Sequence, residues 1–168
     1  MHDTKKITLP CGRITLLDLD DYEKYSPLNW HAEKKCKGLI YYVTRVKCLP
    51  HKKRRRIYLH REILNASKGV LVDHINGDTL DNRKCNLRLC TIAQNRMNCA
   101  KRGNQKYKGV HRSGKRTKES WYAMIQVNKK AIYLGVFDSE EKAATAYNKA
   151  AIKHQGSFAR LNIIQEVA

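Results

Sequence analysis

One segment constrains the fold of this chain more than any other. VDHINGDTLDNRKCNLRLCTIAQN, residues 72–95, is rich in Asp, Asn and Arg and contains few apolar residues. A segment of this composition cannot form a hydrophobic core by itself. It is therefore either a solvated loop or a set of side chains held in place for chemistry, and the neighbouring sequence bears on that choice.

Signals within the segment predict a strand, a loop, a second strand and a helix. The apolar run at residues 70–72 ends in Asp73 and His74, so these two polar residues lie at the end of a strand. NGD then signals a turn, and NLRLC is typical of the second strand. TIAQ is a capping box that predicts the start of a helix. The sequence thus predicts a ββα unit at about residues 70–98.

A unit of this kind suits metal-assisted hydrolysis of a phosphodiester. A hard divalent cation prefers oxygen ligands, and Asp73 and Asn95 can supply a carboxylate and an amide oxygen to one ion. His74 points to the face of the strand opposite Asp73, and the ordinary pKa of histidine lies near neutral pH. We therefore expect His74 to act as general base on the attacking water. The ion would stabilise the charge on the phosphate and the leaving oxygen.

Four residues of this unit resemble the signature of the HNH endonucleases, in the version found in phage and intron homing enzymes: Asp73, His74, Asn86 and Asn95. The resemblance implies that His74 is the general base and that Asp73 and Asn95 hold one Mg²⁺ or Mn²⁺ ion. It also implies that Asn86 belongs to the catalytic site, where it braces the loop. Asparagine at position 95, where many relatives have histidine, bears on metal preference more than on activity.

The pair His60-Arg61 resembles the HR that commonly precedes this motif, so both residues are assigned to the catalytic site, with Arg61 as a phosphate contact. The leading hypothesis is a site-specific DNA endonuclease of the homing or mobile-element type. The alternative comes from a different class of protein. It is a sequence-specific DNA-binding regulator that does not cleave and whose nuclease unit is degenerate.

A basic linker at residues 99–106 separates the nuclease domain, residues 1–98, from a second domain at 107–163, which a short tail at 164–168 follows. WYAMIQV and AIYLGVF flank a turn at Asn128, and YKGV adds a third strand. A helix capped by Asp138 covers the apolar face of the sheet with residues at helical spacing: Ala143, Ala144, Tyr147, Ala150, Ala151 and His154. We expect a three-stranded antiparallel sheet packed on one helix.

YKGVHR, YLGVFDSEEKAATAYNKAA and the closing LN resemble the ethylene-response-factor DNA-binding domain (APETALA class). In that family the exposed face of the sheet enters the major groove of DNA. The implied contact residues here are Lys108, His111, Arg112, Gln126, Lys129, Lys130 and Tyr133. Two arginines of the family are replaced by Gln126 and Ala131, so its recognition sequence is not carried over. A packing hairpin with exposed polar residues is the alternative, and it would also leave Tyr133 uncovered.

The first third of the chain is rich in strand-forming runs, namely KITL, GRITLLDL and LIYYVTRVKCL, which predict a small meander. Four large residues within it are expected to anchor a core: Tyr22, Tyr25, Leu28 and Trp30. HKKRRR, residues 51–56, separates two strand-like runs. It predicts the tip of a basic hairpin with Arg54, Arg55 and Arg56 near a phosphate backbone. A solvated loop and a localisation signal remain open for this charge run.

The overall charge favours double-stranded DNA as the partner, because 34 Lys and Arg against 15 Asp and Glu give a formal net charge of +19. The six cysteines contain no Cys-x-x-Cys pair, so we expect small buried hydrophobic side chains and no structural zinc. No apolar stretch approaches the length of a membrane span and no signal peptide opens the chain, which predicts a cytoplasmic protein of a bacterial or phage-infected cell. No obligate protein partner is evident. A monomer is favoured over a dimer, and one metal site per chain cuts one strand per event, so a monomer predicts nicking. No heptad pattern argues for a dimer, although its absence excludes only coiled coils.

Overall fold

The structure is a computed structural model that describes residues 3–35, 40–101, 103–113 and 120–164. The chain divides into two compact units, Met1–Ile92 and Ala93–Ala168. The domain boundary expected at residue 98 lies later in the chain and stays a prediction. Within the described ranges both units combine small antiparallel sheets with helices, so the α+β fold class is confirmed.

The first unit, in its described part, contains three small antiparallel sheets. Its elements are β1 (Thr4–Thr8), β2 (Ile14–Asp18), α1 (Leu19–Tyr25), β3 (His31–Lys35), β4 (Ile40–Cys48), β5 (Arg54–Tyr58), α2 (Leu59–Ile63), β6 (Leu71–His74) and β7 (Leu87–Cys90). Strand β1 pairs with β2, β4 lies between β3 and β5, and β6 pairs with β7. Helix α1 is not predicted from the sequence, which indicates only core residues in this region. Asp20 and Asp21 in its first turn and Lys24 in its last complement the helix dipole.

The core of the first unit is a cluster of buried apolar side chains: Leu9, Leu17, Tyr25, Trp30, Val43, Ile57 and Leu59. Two of the predicted anchors, Tyr25 and Trp30, lie in this cluster, and the indole Nε1 of Trp30 donates to the Tyr25 carbonyl at 2.9 Å. Tyr22 packs against the cluster and is partly buried. The prediction for Leu28 is wrong, because this side chain follows α1 at the surface and is 36% exposed.

The predicted basic hairpin is formed by β4 and β5. Its turn is closed by a hydrogen bond of 2.8 Å from Leu49 N to the Lys53 carbonyl, and His51 and Lys52 have positive φ angles of 60° and 59°. The three arginines of the charge run lie in the exposed start of β5 and not at the tip. The turn residues reverse the chain and leave the basic side chains in regular strand geometry.

The predicted order of strand, loop, strand and helix is present at the segment that opened the sequence analysis. Strands β6 and β7 pair with Asp73 opposite Arg88 and His74 opposite Leu87. Helix α3 (Ile92–Asn98) follows directly after Thr91, the predicted cap. The apolar positions of the two strands and the polar loop between them are therefore the source of the local fold.

The second unit is a three-stranded antiparallel sheet backed by one long helix. Its elements after α3 are β8 (Val110–Arg112), β9 (Trp121–Val127), β10 (Lys130–Phe137) and α4 (Glu140–Gln155), with β9 in the centre of the sheet. Buried alanines of α4 and apolar residues of the sheet form its core: Val110, Ala123, Ile125, Ala143, Ala144, Tyr147 and Ala151. The small helix residues let α4 lie close to the sheet.

Three details of this second unit differ from expectation. The third strand begins at Val110, so YKGV mostly precedes it. The N-cap of α4 is Ser139, whose hydroxyl accepts from Lys142 N at 3.1 Å, whereas Asp138 pairs with the Lys142 ammonium at 2.7 Å. His154 is exposed and does not belong to the buried face, because that face has already turned away from the sheet in the last turn of α4.

Gly109 lets the backbone before β8 lie directly against Tyr147 of α4. Its φ angle is 72°, and a Cβ at this position would lie 2.2 Å from Cδ2 of Tyr147 and 2.6 Å from the carbonyl oxygen of Met124. The Gly109 carbonyl also accepts a hydrogen bond of 2.9 Å from Met124 N. Both the backbone conformation and the space therefore require glycine.

The cysteines do not behave as the sequence predicts. Cys90 is buried, but Cys11, Cys48, Cys85 and Cys99 are exposed, and all five have free thiols. These four lie at turns or element ends, where a small side chain is not enclosed by the core. Cys36 lies outside the described residues. None of the helices in the described ranges has the length and apolar character needed to cross a bilayer.

Candidate functional site

The loop between β6 and β7 is held together by its own polar side chains. Asn76 Oδ1 accepts from Asp78 N at 2.7 Å, and Asp78 Oδ1 accepts from Leu80 N at 2.9 Å. Arg83 donates to both carboxylate oxygens of Asp81, each at 2.7 Å. Much of the polar composition of the segment therefore serves to brace the loop.

Strand β2 is joined to the same loop by backbone hydrogen bonds. Leu16 N donates to the Leu80 carbonyl at 3.0 Å, and the Leu16 carbonyl accepts from Asn82 N at 2.9 Å. Lys84 N donates to the Asp18 carboxylate at 2.7 Å. The β1–β2 hairpin near the start of the chain thus fixes the loop that follows β6.

Asn86 lies at the centre of this braced loop. Its Oδ1 accepts from Asn76 N at 2.9 Å, and its Nδ2 donates to the Asp81 carbonyl at 2.7 Å. Its own carbonyl accepts from Ile75 N at 2.8 Å, and the side chain is buried. The geometry is that of a bracing residue, and a direct catalytic role for Asn86 stays a prediction.

Asp73 forms a buried ion pair with Arg88, its partner across the β6–β7 hairpin. The guanidinium donates from Nε and Nη2 to Asp73 Oδ2 at 2.9 and 2.7 Å. Asp73 itself is 6% exposed. The ion pair holds the carboxylate in place and partly neutralises it, so a cation at Asp73 would meet less negative charge than a lone carboxylate offers.

His74 lies next to Asp73 and is 4% exposed. Its Nε2 is 3.3 Å from Oδ1 of Asn82, a residue that is fully buried. Burial lowers the pKa of His74 below the ordinary value of a histidine, and the contact with Asn82 opposes this effect. The imidazole is therefore neutral at neutral pH, which is the form that can accept a proton.

His60 packs against the ring of His74 within a buried aromatic cluster. The two imidazole centroids are 5.2 Å apart, and His60 is 5.4 Å from the ring of Tyr42 and 5.7 Å from that of Tyr58. Burial lowers the pKa of His60 to about 3, so it carries no charge at neutral pH. Its buried Nδ1 has no hydrogen-bond partner among the described residues. The structure thus gives His60 a packing contact with the predicted base.

The guanidinium of Arg61 is used inside the protein. It donates to the carbonyls of Val70 at 2.5 Å, Ser67 at 2.8 Å and Ala66 at 3.3 Å. These bonds hold the turn that leads into β6. The guanidinium therefore has a structural role in this turn, and the phosphate contact expected at Arg61 stays a prediction.

The ligands predicted for a divalent ion belong to different units. Asp73 lies in the first and Asn95 in the second, where Asn95 is half-buried in α3 and its carbonyl accepts from Cys99 Sγ at 3.4 Å. A carboxylate with an amide oxygen is a hard donor set that suits Mg²⁺ or Mn²⁺, which keep several waters in their shell. No cluster of three or more His, Cys, Asp or Glu residues that could hold a metal occurs in the described part of the chain. The ligand pair stays a prediction.

The exposed face of the second unit's sheet carries a row of stacked rings. His111 stacks on Tyr122 with centroids 5.0 Å apart and 19° between planes, and Tyr122 stacks on Tyr133 at 6.3 Å and 29°. Tyr133 is 61% exposed, and Gln105 Nε2 is 2.8 Å from His111 Nδ1.

The other predicted DNA contacts of this unit fall into two groups. Gln126, Lys129 and Lys130 are exposed at the end of the β9–β10 hairpin, as expected for contact residues. Arg112 is exposed but alternates to the opposite side of β8 from His111. Lys108 is half-buried, and its ammonium donates to the Met97 carbonyl. This contact turns the side chain into its own unit, and the burial lowers the pKa of Lys108.

The basic hairpin of the first unit has one neutralised region and one that has no acidic partner among the described residues. Arg56 pairs with Glu33 at 2.8 Å. Lys47 and Arg55 are direct cross-strand partners on one face of the hairpin, and both are exposed. Like charges opposite each other destabilise a sheet, so this pair is the part of the hairpin that a polyanion would stabilise most.

Known relatives exist for the part of the chain that holds β6, β7 and the predicted base. Residues 58–97 match the family model of the HNH endonucleases. This HNH segment contains all of the residues that were assigned to the catalytic site and the metal: His60, Arg61, Asp73, His74, Asn86 and Asn95. The resemblance of this region to HNH endonucleases is therefore supported.

Two plant proteins are similar to part of the chain. APETALA2-like protein 2 of Oryza sativa subsp. indica is 43% identical over 65 residues, which cover 36% of this chain and 14% of that protein. An AP2/ERF and B3 domain-containing transcription factor of Arabidopsis thaliana is 47% identical over 51 residues, which cover 30% of this chain and 14% of its own length. The chain thus spans about 14% of these relatives. No solved structure matches the chain. The resemblance to the APETALA class is supported.

Sequence reasoning missed two residues that contact the HNH pair Asp73-His74. Arg88 is identifiable once the β6–β7 register is known, because it lies directly across from Asp73. Asn82 gives no such signal, since it lies within a run of polar loop residues. Only the contact of its side chain with His74 distinguishes it from its neighbours.

Proposed function

We propose that the chain is a DNA endonuclease that hydrolyses a phosphodiester bond with one divalent ion, and that its second unit supplies DNA recognition. The observation that carries this proposal is the neutral, buried imidazole of His74 beside Asp73 at the end of β6, inside the HNH segment. Hydrolysis by water requires a general base in its neutral form, which can accept the proton of the attacking water. We further propose a site-specific enzyme of the homing or mobile-element type that nicks one strand as a monomer.

In this mechanism His74 accepts a proton from a water molecule. The water oxygen forms a bond to phosphorus, the bond from phosphorus to a sugar oxygen breaks, and that oxygen takes a proton from solvent. Arg88 orients the Asp73 carboxylate through two hydrogen bonds, and the braced loop fixes the position of the strand end. An Mg²⁺ or Mn²⁺ ion held by Asp73 and Asn95 would supply positive charge to the phosphate.

Recognition of DNA by the second unit is supported by similarity and charge. One similar plant protein is named as a transcription factor, and the net charge of +19 favours a polyanion. We propose that the exposed sheet face contacts DNA through His111, Tyr133 and Gln126, with Lys129 and Lys130 at phosphates. Gln126 in place of an arginine changes which base edges can be bound, so the target differs from that of the plant family.

A second candidate function is a DNA-binding regulator that does not cleave. The observation that favours it is the low exposure of His74, 4%, together with the ion pair that partly neutralises Asp73. A degenerate nuclease unit could keep these buried contacts for stability alone. The two candidates differ in one measurable property, which is cleavage of bound DNA.

Removal of divalent ions is expected to abolish activity. Supercoiled plasmid that carries the recognised site should be converted to open circle with Mg²⁺ or Mn²⁺, and EDTA should stop the conversion, because the carboxylate and amide ligands cannot neutralise the phosphate themselves. Gel electrophoresis of the plasmid forms measures this directly. Tight binding to cognate DNA that stays intact with either ion would favour the regulator and contradict the endonuclease.

The basic hairpin is expected to contribute salt-dependent binding. The double variant Lys47→Gln/Arg55→Gln removes two unneutralised charges, so the slope of log affinity against log salt concentration should become shallower by about 2, at about 0.9 per phosphate contact. Fluorescence anisotropy over a salt series measures the slope. Arg56→Gln is the matched control, because Arg56 is already paired with Glu33 and should change the slope less. An unchanged slope in the double variant would remove the hairpin from the DNA interface.

A further inference from the structure

A chain of buried hydrogen bonds lies behind His74. Asn82 Nδ2 donates to Thr15 Oγ1 at 2.8 Å, and the Thr15 hydroxyl donates to the Leu80 carbonyl at 2.7 Å. On its other side, Asn82 Oδ1 is 3.3 Å from His74 Nε2. Thr15 and Asn82 are both fully buried, so water does not compete for these groups.

The directions of these bonds follow from which groups can donate. A carbonyl only accepts, so the single hydroxyl proton of Thr15 points to Leu80. Thr15 Oγ1 can then only accept, which requires the amide nitrogen of Asn82 on that side. The amide oxygen of Asn82 therefore faces His74. Since an amide oxygen only accepts, Nε2 of His74 must carry the ring proton.

We propose that Asn82 is a positioning residue that fixes the neutral tautomer of His74, with the proton on Nε2 and the lone pair on Nδ1. The inference rests on the proposed function, since it names Nδ1 as the atom that takes the proton of the attacking water. That proton moves to Nδ1 while the water oxygen bonds to phosphorus and the sugar oxygen leaves. The imidazolium formed in this step donates from Nε2 to Asn82, so the same contact stabilises the charged product of proton transfer.

The tautomer can be measured without any cleavage reaction. Ring-nitrogen chemical shifts of the full chain, labelled at histidine and held at mildly alkaline pH, distinguish a protonated from an unprotonated nitrogen. The His74 signals are assigned by their loss in His74→Gln. We expect the proton on Nε2 in the unsubstituted protein, and a proton on Nδ1 would overturn the inference.

Variants at Asn82 separate positioning from packing. Asn82→Asp keeps an oxygen acceptor and should keep the Nε2 tautomer, with kcat within about tenfold of the parent. Asn82→Leu has a similar size and no acceptor, so we expect mixed tautomers and a kcat lower by about 100-fold or more, with KM for DNA changed by less than about twofold. An equal fall in kcat in both variants, or a rise in KM with kcat unchanged, would contradict a positioning role.

A milder variant covers the case in which Asn82→Leu does not fold. Thr15→Val keeps the shape of the side chain and removes the nearer of two oxygens that accept from Asn82 Nδ2, the other being the Leu80 carbonyl at 3.4 Å. The amide is then held less firmly, and the Nε2 tautomer should lose part of its population. An unchanged tautomer and kcat in Thr15→Val would contradict the relay from Thr15.

The two proposals fail in different ways. If the protein cleaves DNA but His74 carries its proton on Nδ1, the inference about Asn82 is wrong. If His74 has the Nε2 tautomer but the protein cleaves no cognate DNA, the proposed endonuclease function is wrong.

Discussion

His74→Ala should eliminate metal-dependent nicking and leave DNA affinity nearly unchanged. Proton transfer by a positioned base contributes about 10²–10⁴-fold to a rate, so single-turnover cleavage should fall by at least about 100-fold. Affinity should persist because the buried imidazole makes few contacts with solvent and the basic hairpin and the sheet of the second unit are untouched. The measurement is a time course of open-circle formation beside a binding titration of the same DNA.

The matched control for this variant is His154→Ala. His154 is an exposed histidine in the last turn of α4, and its loss should leave both cleavage and binding at the level of the parent. Circular dichroism of both variants checks that the fold is intact. Full cleavage by His74→Ala would remove His74 as the base, and a parallel loss of binding would show that the substitution had damaged the fold.

Gly109→Ala should destabilise the second unit by on the order of 3–5 kcal/mol, which is a large part of the stability of a small domain. Two costs combine here. The new Cβ would lie 2.2 Å from the Tyr147 ring and 2.6 Å from the Met124 carbonyl oxygen, and alanine would have to adopt a φ angle of 72°. Tyr147 is buried and the Met124 backbone belongs to the central strand, so neither can move away cheaply. Denaturant unfolding followed by the helical signal of α4 measures the change.

Gly103→Ala isolates the cost of the backbone conformation alone. Gly103 has a φ angle of 64°, and a Cβ there would meet nothing within 4 Å. We expect a loss of about 1 kcal/mol, which is the usual cost of a left-handed residue that is not glycine. Equal losses at positions 109 and 103 would mean that the contact with Tyr147 contributes nothing.

The sequence predicts those parts of the fold that depend on local patterns. The strands β6 and β7, the start of α3 and the β9–β10 hairpin follow from apolar periodicity and turn residues. The capping residue of α4 is one position away from the expected one, because Asp138 and Ser139 are both good caps and the backbone at the end of β10 decides between them. Helix α1 is short, and its acidic first turn is a weak signal beside the neighbouring strands.

For the candidate site, the sequence alone identifies the reactive side chains but not the residues that hold them in place. Asp73 and His74 are recognisable because polar residues at the end of an apolar strand suggest a functional role. The partner of Asp73 depends on the register of a hairpin, and the partner of His74 depends on an amide whose orientation is set by Thr15, 67 positions away in the chain. Pairings over such separations leave no periodic trace in the sequence.

The joining of strand β2 to the loop after β6 limits which fragment of the chain can keep this loop in place. The family match begins at residue 58, yet the bonds that fix the loop come from Leu16, Asp18 and Thr15. A gene fragment that encoded only the matched segment would carry every motif residue and lack the support of the loop. The structural unit that fixes the loop is therefore larger than the matched segment, and we expect a fragment that begins at residue 58 to hold the loop less firmly than one that includes β2.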